Sequence, residues 1–240
     1  MPAPGPRAFQ VTLERVHAWS AHTRSLFLRL PAGAAMPFDP GQFVSLTLPV
    51  GDGPPLVRAY SLASAPEDAL LEICVDRVPG GAGSGWLFGL DAGRTLEMKG
   101  PFGSFRLAAP PAAPMVFVGD GTGIAPIRPM VRRALARGGG QPITVLQGRR
   151  PDEIALFADE LTALAACHPR LACEVLLADA GEGPGAHRAL EAAVRARYVD
   201  ADDDRRRHFW LCGVGDLVTR LRDLLRGAGY ERRAVRAEKW

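Results

Sequence analysis

The second half of the chain opens with Met115-Val116-Phe117-Val118-Gly119-Asp120-Gly121-Thr122-Gly123-Ile124-Ala125-Pro126, the stretch that decides its fold. A short apolar run ends at a glycine-rich turn, and apolar residues then recur at helical spacing from residue 124 to residue 137. This order predicts a strand, a tight turn and a helix. The alternation continues to residue 226, which predicts a parallel sheet with helices on both faces.

Further elements follow this turn at similar spacing. The predicted strands are 143–147, 171–177 and 209–212, and the predicted helices are 153–166, 186–198 and 216–226. Ligands of such sheets bind at the carboxyl ends of the strands, which the sequence places at Gly119, Gln147, Ala178 and Cys212.

The first half of the chain has a different pattern. It predicts five short strands, at 9–16, 25–30, 42–48, 57–62 and 70–78, and one short helix at 83–90. This spacing is typical of a small antiparallel barrel. The proline-rich segment 108–114 predicts a stiff, extended linker. We therefore expect two domains, an antiparallel β-barrel at 1–109 and an α/β parallel-sheet domain at 110–240.

Composition restricts the class of protein. Hydrophobic residues make up 47% and charged residues 23%, so the chain can bury packed cores, and a net charge of +3 does not indicate a nucleic-acid partner. The four cysteines and five histidines lack the spacing of metal or iron–sulfur sites, so we predict no metal. No secretory signal or membrane-spanning stretch is visible, so we predict a cytoplasmic protein without a membrane partner.

Two segments of the first half predict a flavin site. Arg58-Ala59-Tyr60-Ser61 places a cation, an aromatic ring and a hydroxyl on one strand, with Arg58 and Tyr60 on the same face. The guanidinium can bind a diphosphate, the ring can stack on an isoalloxazine, and the hydroxyl can hydrogen-bond a ring nitrogen. Segment 80–87 adds a glycine-rich turn entering a helix, whose N–H groups suit an anion. A diphosphate site favours FAD over FMN.

These motifs resemble those of the ferredoxin–NADP reductase family, in the family's order, from residue 41 to residue 240. In the first half, Arg58-Ala59-Tyr60-Ser61 matches the family motif R-x-Y-[ST], residues Gly81, Ser84 and Leu87 match G-x-x-S-x-x-L, and 100–105 matches the turn G-P-x-G-x-F. In the second half, 121–126 matches G-T-G-[IL]-[AT]-P, and 212–217 matches C-G-x-x-x-M with Leu217 in place of Met. Glu238-Lys239-Trp240 matches the Glu-x-aromatic end of plant-type members.

The resemblance implies an FAD-dependent NAD(P)H oxidoreductase that exchanges electrons with a separate acceptor such as a ferredoxin, a flavodoxin or an oxygenase component. It implies catalytic roles for Ser61, Cys212 and Glu238, and a ring at Trp240 that covers the flavin. The cofactor-binding residues that it implies are Arg58, Ala59, Tyr60, Ser61, Cys74, Val75, Gly81, Ala82, Gly83, Ser84, Gly121, Thr122, Gly123, Pro126, Arg149, Asp179, Cys212, Gly213, Asp216 and Trp240. We expect a bulky residue at Gly123 to abolish NAD(P)H oxidation with the flavin retained.

The sequence does not decide between NADH and NADPH, but it favours NADH. Asp179 would repel a 2′-phosphate and accept hydrogen bonds from ribose hydroxyls. Arg149-Arg150 and Arg188 could instead bind that phosphate, and Phe157 stands where many family members have an adenine-stacking tyrosine. Two other functions remain as alternatives, a reductase of free flavin and a non-catalytic flavin-binding electron-transfer subunit.

Overall fold

The structure is a computed structural model that describes residues 5–150, 153–177, 188–201 and 203–239. The chain forms two compact units, Met1–Ala108 and Ala109–Trp240. Within the described ranges, no helix combines the length and the apolar character that crossing a membrane requires.

The first unit is a six-stranded antiparallel sheet that curls into a nearly closed barrel. Its elements are β1 (Arg7–Ala18), β2 (Thr23–Arg29), β3 (Phe43–Leu48), β4 (Leu56–Ser61), β5 (Leu71–Asp76), α1 (Ala82–Phe88) and β6 (Thr95–Phe102). The strand order is β4-β3-β6-β1-β2-β5. A bridge between Leu62 and Ile73 joins the two ends of this order. Alternate residues of the strands fill the barrel, and Leu87 buries the short helix α1 in the same core.

The second unit is a five-stranded parallel sheet covered by helices. Its elements are β7 (Met115–Asp120), α2 (Ile124–Ala136), β8 (Ile143–Arg149), α3 (Ala158–Cys167), β9 (Leu171–Leu177), α4 (Arg188–Arg195), β10 (His208–Gly213), α5 (Leu217–Gly227) and β11 (Val235–Lys239). The strand order is β11-β10-β7-β8-β9. The order reverses between β7 and β10, so a ligand crevice is expected at the carboxyl ends of these two strands.

The fold class predicted from the sequence is confirmed, but several element boundaries were wrong. Helix α3 begins at Ala158 and not at residue 153, because Phe157 takes a left-handed backbone conformation (φ 59°) that cannot continue a helix. Residues 100–102 belong to β6, so the turn that we predicted at 100–105 begins only at Gly103 (φ 103°). Strands β6 and β11 were not among the predicted elements.

Candidate functional site

The side chain of Arg58 lies against the start of α1. A Cβ added at Gly83 would lie 3.6 Å from Cγ of Arg58, an ordinary contact distance, and 3.2 Å from Cδ1 of Leu48, so Arg58 and α1 are neighbours. Nη1 of Arg58 donates to the carbonyl of Val57 over 2.9 Å, and the side chain is otherwise exposed. The first N–H groups of a helix have no intrahelical acceptor. A guanidinium beside such N–H groups fits a diphosphate.

The turn before α1 is tightly built. The N–H of Val78 donates to Oγ of Ser84 over 3.0 Å, and that hydroxyl lies 3.2 Å from the carbonyl oxygen of Gly81. A Cβ at Gly81 would lie 2.9 Å from both Ser84 Oγ and Val78 Cβ, so only glycine fits there. The Ser84 hydroxyl therefore holds the turn together, a role that its place in the motif did not reveal.

Tyr60 and Ser61 end strand β4 on opposite faces, as the alternation of the strand predicts. Tyr60 is half-buried against the barrel core, and burial raises its pKa to about 12, with Arg58 opposing the shift. The ring is therefore a neutral, flat surface. Ser61 is 4% exposed and lies opposite Phe43 in the register of β3 and β4.

Cys74 and Val75 of β5 are both buried. The thiol of Cys74 lies 3.5 Å from the hydroxyl of Ser25, and Val75 packs in the barrel core. Their side chains are thus engaged inside the first unit. Taken together, the residues of this unit fit FAD, because they supply a cation, N–H donors and a flat aromatic ring within one surface.

Glycine occupies positions 119, 121 and 123 of the second unit for different structural reasons. A Cβ at Gly123 would lie 2.2 Å from the carbonyl oxygen of Cys212 and 2.9 Å from Cα of Gly213, so Gly123 packs directly on the end of β10. A Cβ at Gly119 would lie 3.1 Å from the backbone of Ile124. Gly121 has a positive φ of 53° and open space around it. Of these three glycines, Gly121 is the one that faces open space.

Three parallel strands bring Cys212 and Glu238 together. In register, Cys212 of β10 lies opposite Gly119 of β7 on one side and Glu238 of β11 on the other. Cys212 is 2% exposed; burial, followed by the nearby Glu238 carboxylate, raises the pKa of its thiol well above the ordinary range, although the N–H of Gly213 opposes the shift. The thiol is therefore neutral at physiological pH. Gly119 and Cys212 stand where the order of strands reverses, and Glu238 lies on the next strand.

The loop after β8 engages the two arginines considered for a 2′-phosphate. Nη1 of Arg149 donates to the carbonyls of Arg150 and Glu153 over 3.1 and 2.9 Å. The Arg150 guanidinium forms an ion pair with the Glu153 carboxylate at 2.8 Å. Phe157 is 5% exposed, and the guanidinium of Arg128 lies 4.5 Å from its ring centre. Its ring is covered in this way, so the adenine-stacking position suggested by sequence is not an open surface.

The other predicted contacts are spread around the same edge of the sheet. Thr122 and Pro126 lie in the turn and the first residues of α2, and Pro126 is buried. Asp216 is exposed just before α5, and Nζ of Lys239 lies 3.2 Å from its carboxylate. This ion pair links the start of α5 to the end of β11. Asp179 and Trp240 lie outside the described residues.

Sequence reasoning gave no role to Asp120, the residue between two glycines of the motif. The structure buries it at the carboxyl end of the central strand β7, with 7% of its surface exposed. An acidic residue inside a turn suited to phosphate was the available signal.

Comparison with known proteins identifies both units. A family model for the FAD-binding domain of oxidoreductases matches residues 10–107, and one for the NAD-binding domain of oxidoreductases matches residues 117–223. The cofactor prediction of FAD and NAD(P)H is thereby confirmed.

Relatives match the chain over most of its length. Ferredoxin–NADP reductase B of Sorangium cellulosum is 36% identical over 97% of both chains. The ferredoxin–NAD(P)(+) reductase component of the naphthalene 1,2-dioxygenase/salicylate 5-hydroxylase systems of a Ralstonia species is 34% identical over 84% of this chain, which spans 60% of that relative. The crystal structure of an Amycolatopsis cytochrome P450 reductase has a TM-score of 0.83 at 33% identity, covering 99% of this chain and 70% of the other. The chain belongs to the ferredoxin–NADP reductase family of FAD- and NAD(P)H-dependent flavoprotein oxidoreductases.

Proposed function

We propose that this protein passes electrons between NAD(P)H and a separate acceptor, namely a ferredoxin, a flavodoxin or an oxygenase component. The observation that carries the proposal is the alignment of Gly119, Cys212 and Glu238 across three neighbouring strands at the point where the strand order reverses. The relatives named above, a reductase of ferredoxin and a reductase component of oxygenase systems, support a ferredoxin or an oxygenase component as the acceptor. FAD held by the first unit would supply acceptance of two electrons from the nicotinamide and release of single electrons to the acceptor.

For the FAD-binding domain we propose the bounds 1–109, and we propose that its binding of FAD is divided among three groups. Arg58 and the first N–H groups of α1, from Ala82 to Ser84, hold the diphosphate. Tyr60 offers the flat face of its neutral ring, and Ser61 hydrogen-bonds the isoalloxazine. The position of the Arg58 side chain beside Gly83 supports this division, because it places the cation near the N–H donors. Ala59 completes the surface, and Cys74 and Val75, whose side chains are buried, would contribute through their backbone.

In the second unit, assigned to 110–240, we propose that the turn 121–123 binds the pyrophosphate and that Cys212 contacts the nicotinamide. A neutral thiol suits this contact, since a thiolate would be an additional charge beside a ring whose charge changes in the reaction. Glu238 then holds or moves a proton next to it. Gly213, Asp216 and Pro126 shape the same edge of the sheet, and for Trp240, outside the described residues, we propose the flavin-covering role that the family resemblance implies.

We propose NADH as the preferred substrate. The guanidinium groups of Arg149 and Arg150 are engaged by the loop ending at Glu153, which supports the proposal because neither is held out towards a 2′-phosphate. Asp179 would add repulsion. We also propose a cytoplasmic location, since all four cysteines are free thiols, the state that a reducing compartment maintains.

Anaerobic titration of the purified protein with NADH and, separately, NADPH tests this function. We expect NADH to bleach the flavin band at a lower concentration than NADPH does. A yellow protein that neither cofactor bleaches would identify a non-catalytic subunit instead. A colourless protein that oxidises NAD(P)H only with added flavin would identify a reductase of free flavin. A Glu153→Gln variant, which releases Arg150 from its ion pair, should narrow the gap between the two cofactors.

A further inference from the structure

Asp120 lies at the point of the second unit where a ligand crevice is expected. It is the last residue of β7, and its neighbour in the register of β8 is Gly148. The preceding residue of β7 lies opposite Cys212 of β10. Asp120 is therefore one residue beyond the Cys212 position, at the carboxyl end of the central strand.

Two glycines make the space that the Asp120 side chain occupies. A Cβ at Gly148 would lie 2.9 Å from Oδ1 of Asp120, and a Cβ at Gly213 would lie 3.0 Å from its Cβ. Cδ1 of Leu190, from α4, lies 3.2 Å from the same added Cβ, so this side chain also borders the cradle. A larger residue on either neighbouring strand would displace the carboxylate.

The chemistry of a carboxylate limits what it can bind. An ionised carboxylate accepts hydrogen bonds and donates none, and it repels phosphate. A nicotinamide dinucleotide offers a pyrophosphate and two ribose diols. The pyrophosphate suits the N–H groups of the turn that follows, whereas a diol donates two O–H groups to a single carboxylate. An acidic residue directly before that turn therefore suits a ribose diol, whereas the N–H groups of the turn suit the pyrophosphate.

We propose that Asp120 binds a ribose diol of the nicotinamide dinucleotide. This inference rests on the proposed function, because it assumes that the second unit takes that substrate. The contact with Gly213, next to Cys212, favours the ribose attached to the nicotinamide. The adenine ribose carries the same diol, and the choice of ligands below distinguishes the two.

Calorimetric binding of ADP, 2′-deoxy-ADP and ADP-ribose to the FAD-loaded protein tests the inference. ADP-ribose carries a second ribose that ADP lacks, and 2′-deoxy-ADP lacks the adenine diol. We expect the wild type to bind ADP-ribose more tightly than ADP. Asp120→Asn should weaken ADP-ribose by about tenfold, as loss of a charge-assisted hydrogen bond implies, and should leave ADP unchanged or slightly tighter. Asp223→Asn, an exposed carboxylate of α5, is the control.

The alternative outcomes are distinct. If Asp120 binds the adenine ribose, the variant loses the preference for ADP over 2′-deoxy-ADP. If the wild type prefers neither diol, or if Asp120→Asn binds all three nucleotides as tightly as the wild type or more tightly, the inference is overturned. A wild type that binds none of them would overturn the proposed function and the inference with it.

Gly148→Ala provides a second test that leaves the charge in place. The added methyl group would stand 2.9 Å from Oδ1 and push the carboxylate aside. We expect the same selective loss of ADP-ribose affinity, measured on protein whose melting temperature shows that it is folded. Wild-type discrimination in a folded Gly148→Ala protein would contradict the geometry on which the inference depends.

Discussion

Gly123→Ala is the most direct perturbation of the second unit. The new methyl carbon would stand 2.2 Å from the carbonyl oxygen of Cys212, 2.6 Å from its carbonyl carbon and 2.9 Å from Cα of Gly213. Ordinary contacts between heavy atoms begin at about 3.5 Å. All the atoms in conflict belong to the backbone, so the start of α2 and the end of β10 must separate by more than about 1 Å.

The displacement has two consequences of known size. Inserting a methyl group into a packed contact costs about 1–3 kcal/mol of stability. A misplacement of about 1 Å in a group that orients the substrate can lower the rate by about 100-fold. We therefore expect NADH to reduce the flavin about 100-fold more slowly in Gly123→Ala, while the FAD content stays at the wild-type level because the substitution lies in the second unit.

Anaerobic stopped-flow reduction by NADH, with the flavin spectrum recorded beforehand, measures both quantities. Gly140→Ala is the matched control, since a Cβ there meets nothing within 4 Å. Wild-type reduction by Gly123→Ala would refute the reasoning, as would an equal loss in Gly140→Ala. The expected sensitivity of Gly123 thus comes from the contact of a helix with a strand.

Three other substitutions test separate features. Arg58→Ala should weaken FAD binding about 10- to 100-fold in a fluorescence titration of the apoprotein, whereas Arg29→Ala, which removes an exposed ion pair on the same unit, should not; equal effects would contradict the diphosphate role. Glu238→Gln should lower the raised pKa of Cys212, measured as the pH dependence of the ultraviolet thiolate absorbance that a Cys212→Ser variant lacks. The stability that the neutral thiol contributes is present below the ordinary thiol pKa and is lost as pH rises from there through the folded-state pKa. An unchanged profile would contradict the coupling. Tyr230→Phe should cost about 1 kcal/mol in urea unfolding, because its hydroxyl lies 2.9 and 3.1 Å from two main-chain carbonyl oxygens; an unchanged midpoint would show that these contacts add nothing.

Local signals were enough to predict much of the fold. Alternation along 57–62 indicated that Arg58 and Tyr60 share a face, and the strand–helix repeats after residue 115 predicted a parallel sheet. The same signal was present in β6, whose apolar residues Leu96 and Met98 alternate with exposed polar ones. Strand β11 offers no such pattern, because it is an edge strand with partly or fully exposed residues after Val235.

Other features depend on residues far apart in the chain. Phe157 adopts its left-handed backbone where Arg128, on another helix, covers its ring and pairs with Glu160 at 2.7 Å. Gln147, on β8, donates to the carbonyl of Leu156 just before it. The hydrophobic periodicity of 153–166 gives no sign of these contacts, because their partners lie outside that segment. The start of α3 therefore could not be placed from that segment alone.

The pairing of Cys212 with Glu238 shows the same limit at the site itself. A motif locates each residue along the chain, but only the register of β10 and β11 makes them neighbours. That register also explains why the thiol is held neutral, since burial and a carboxylate on the adjacent strand act in the same direction. In the cradle of Asp120, likewise, the required glycines lie 28 and 93 residues further along the chain, at 148 and 213. The chemistry at the carboxyl end of this sheet thus depends on the order of its strands, which makes residues from distant segments of the chain neighbours.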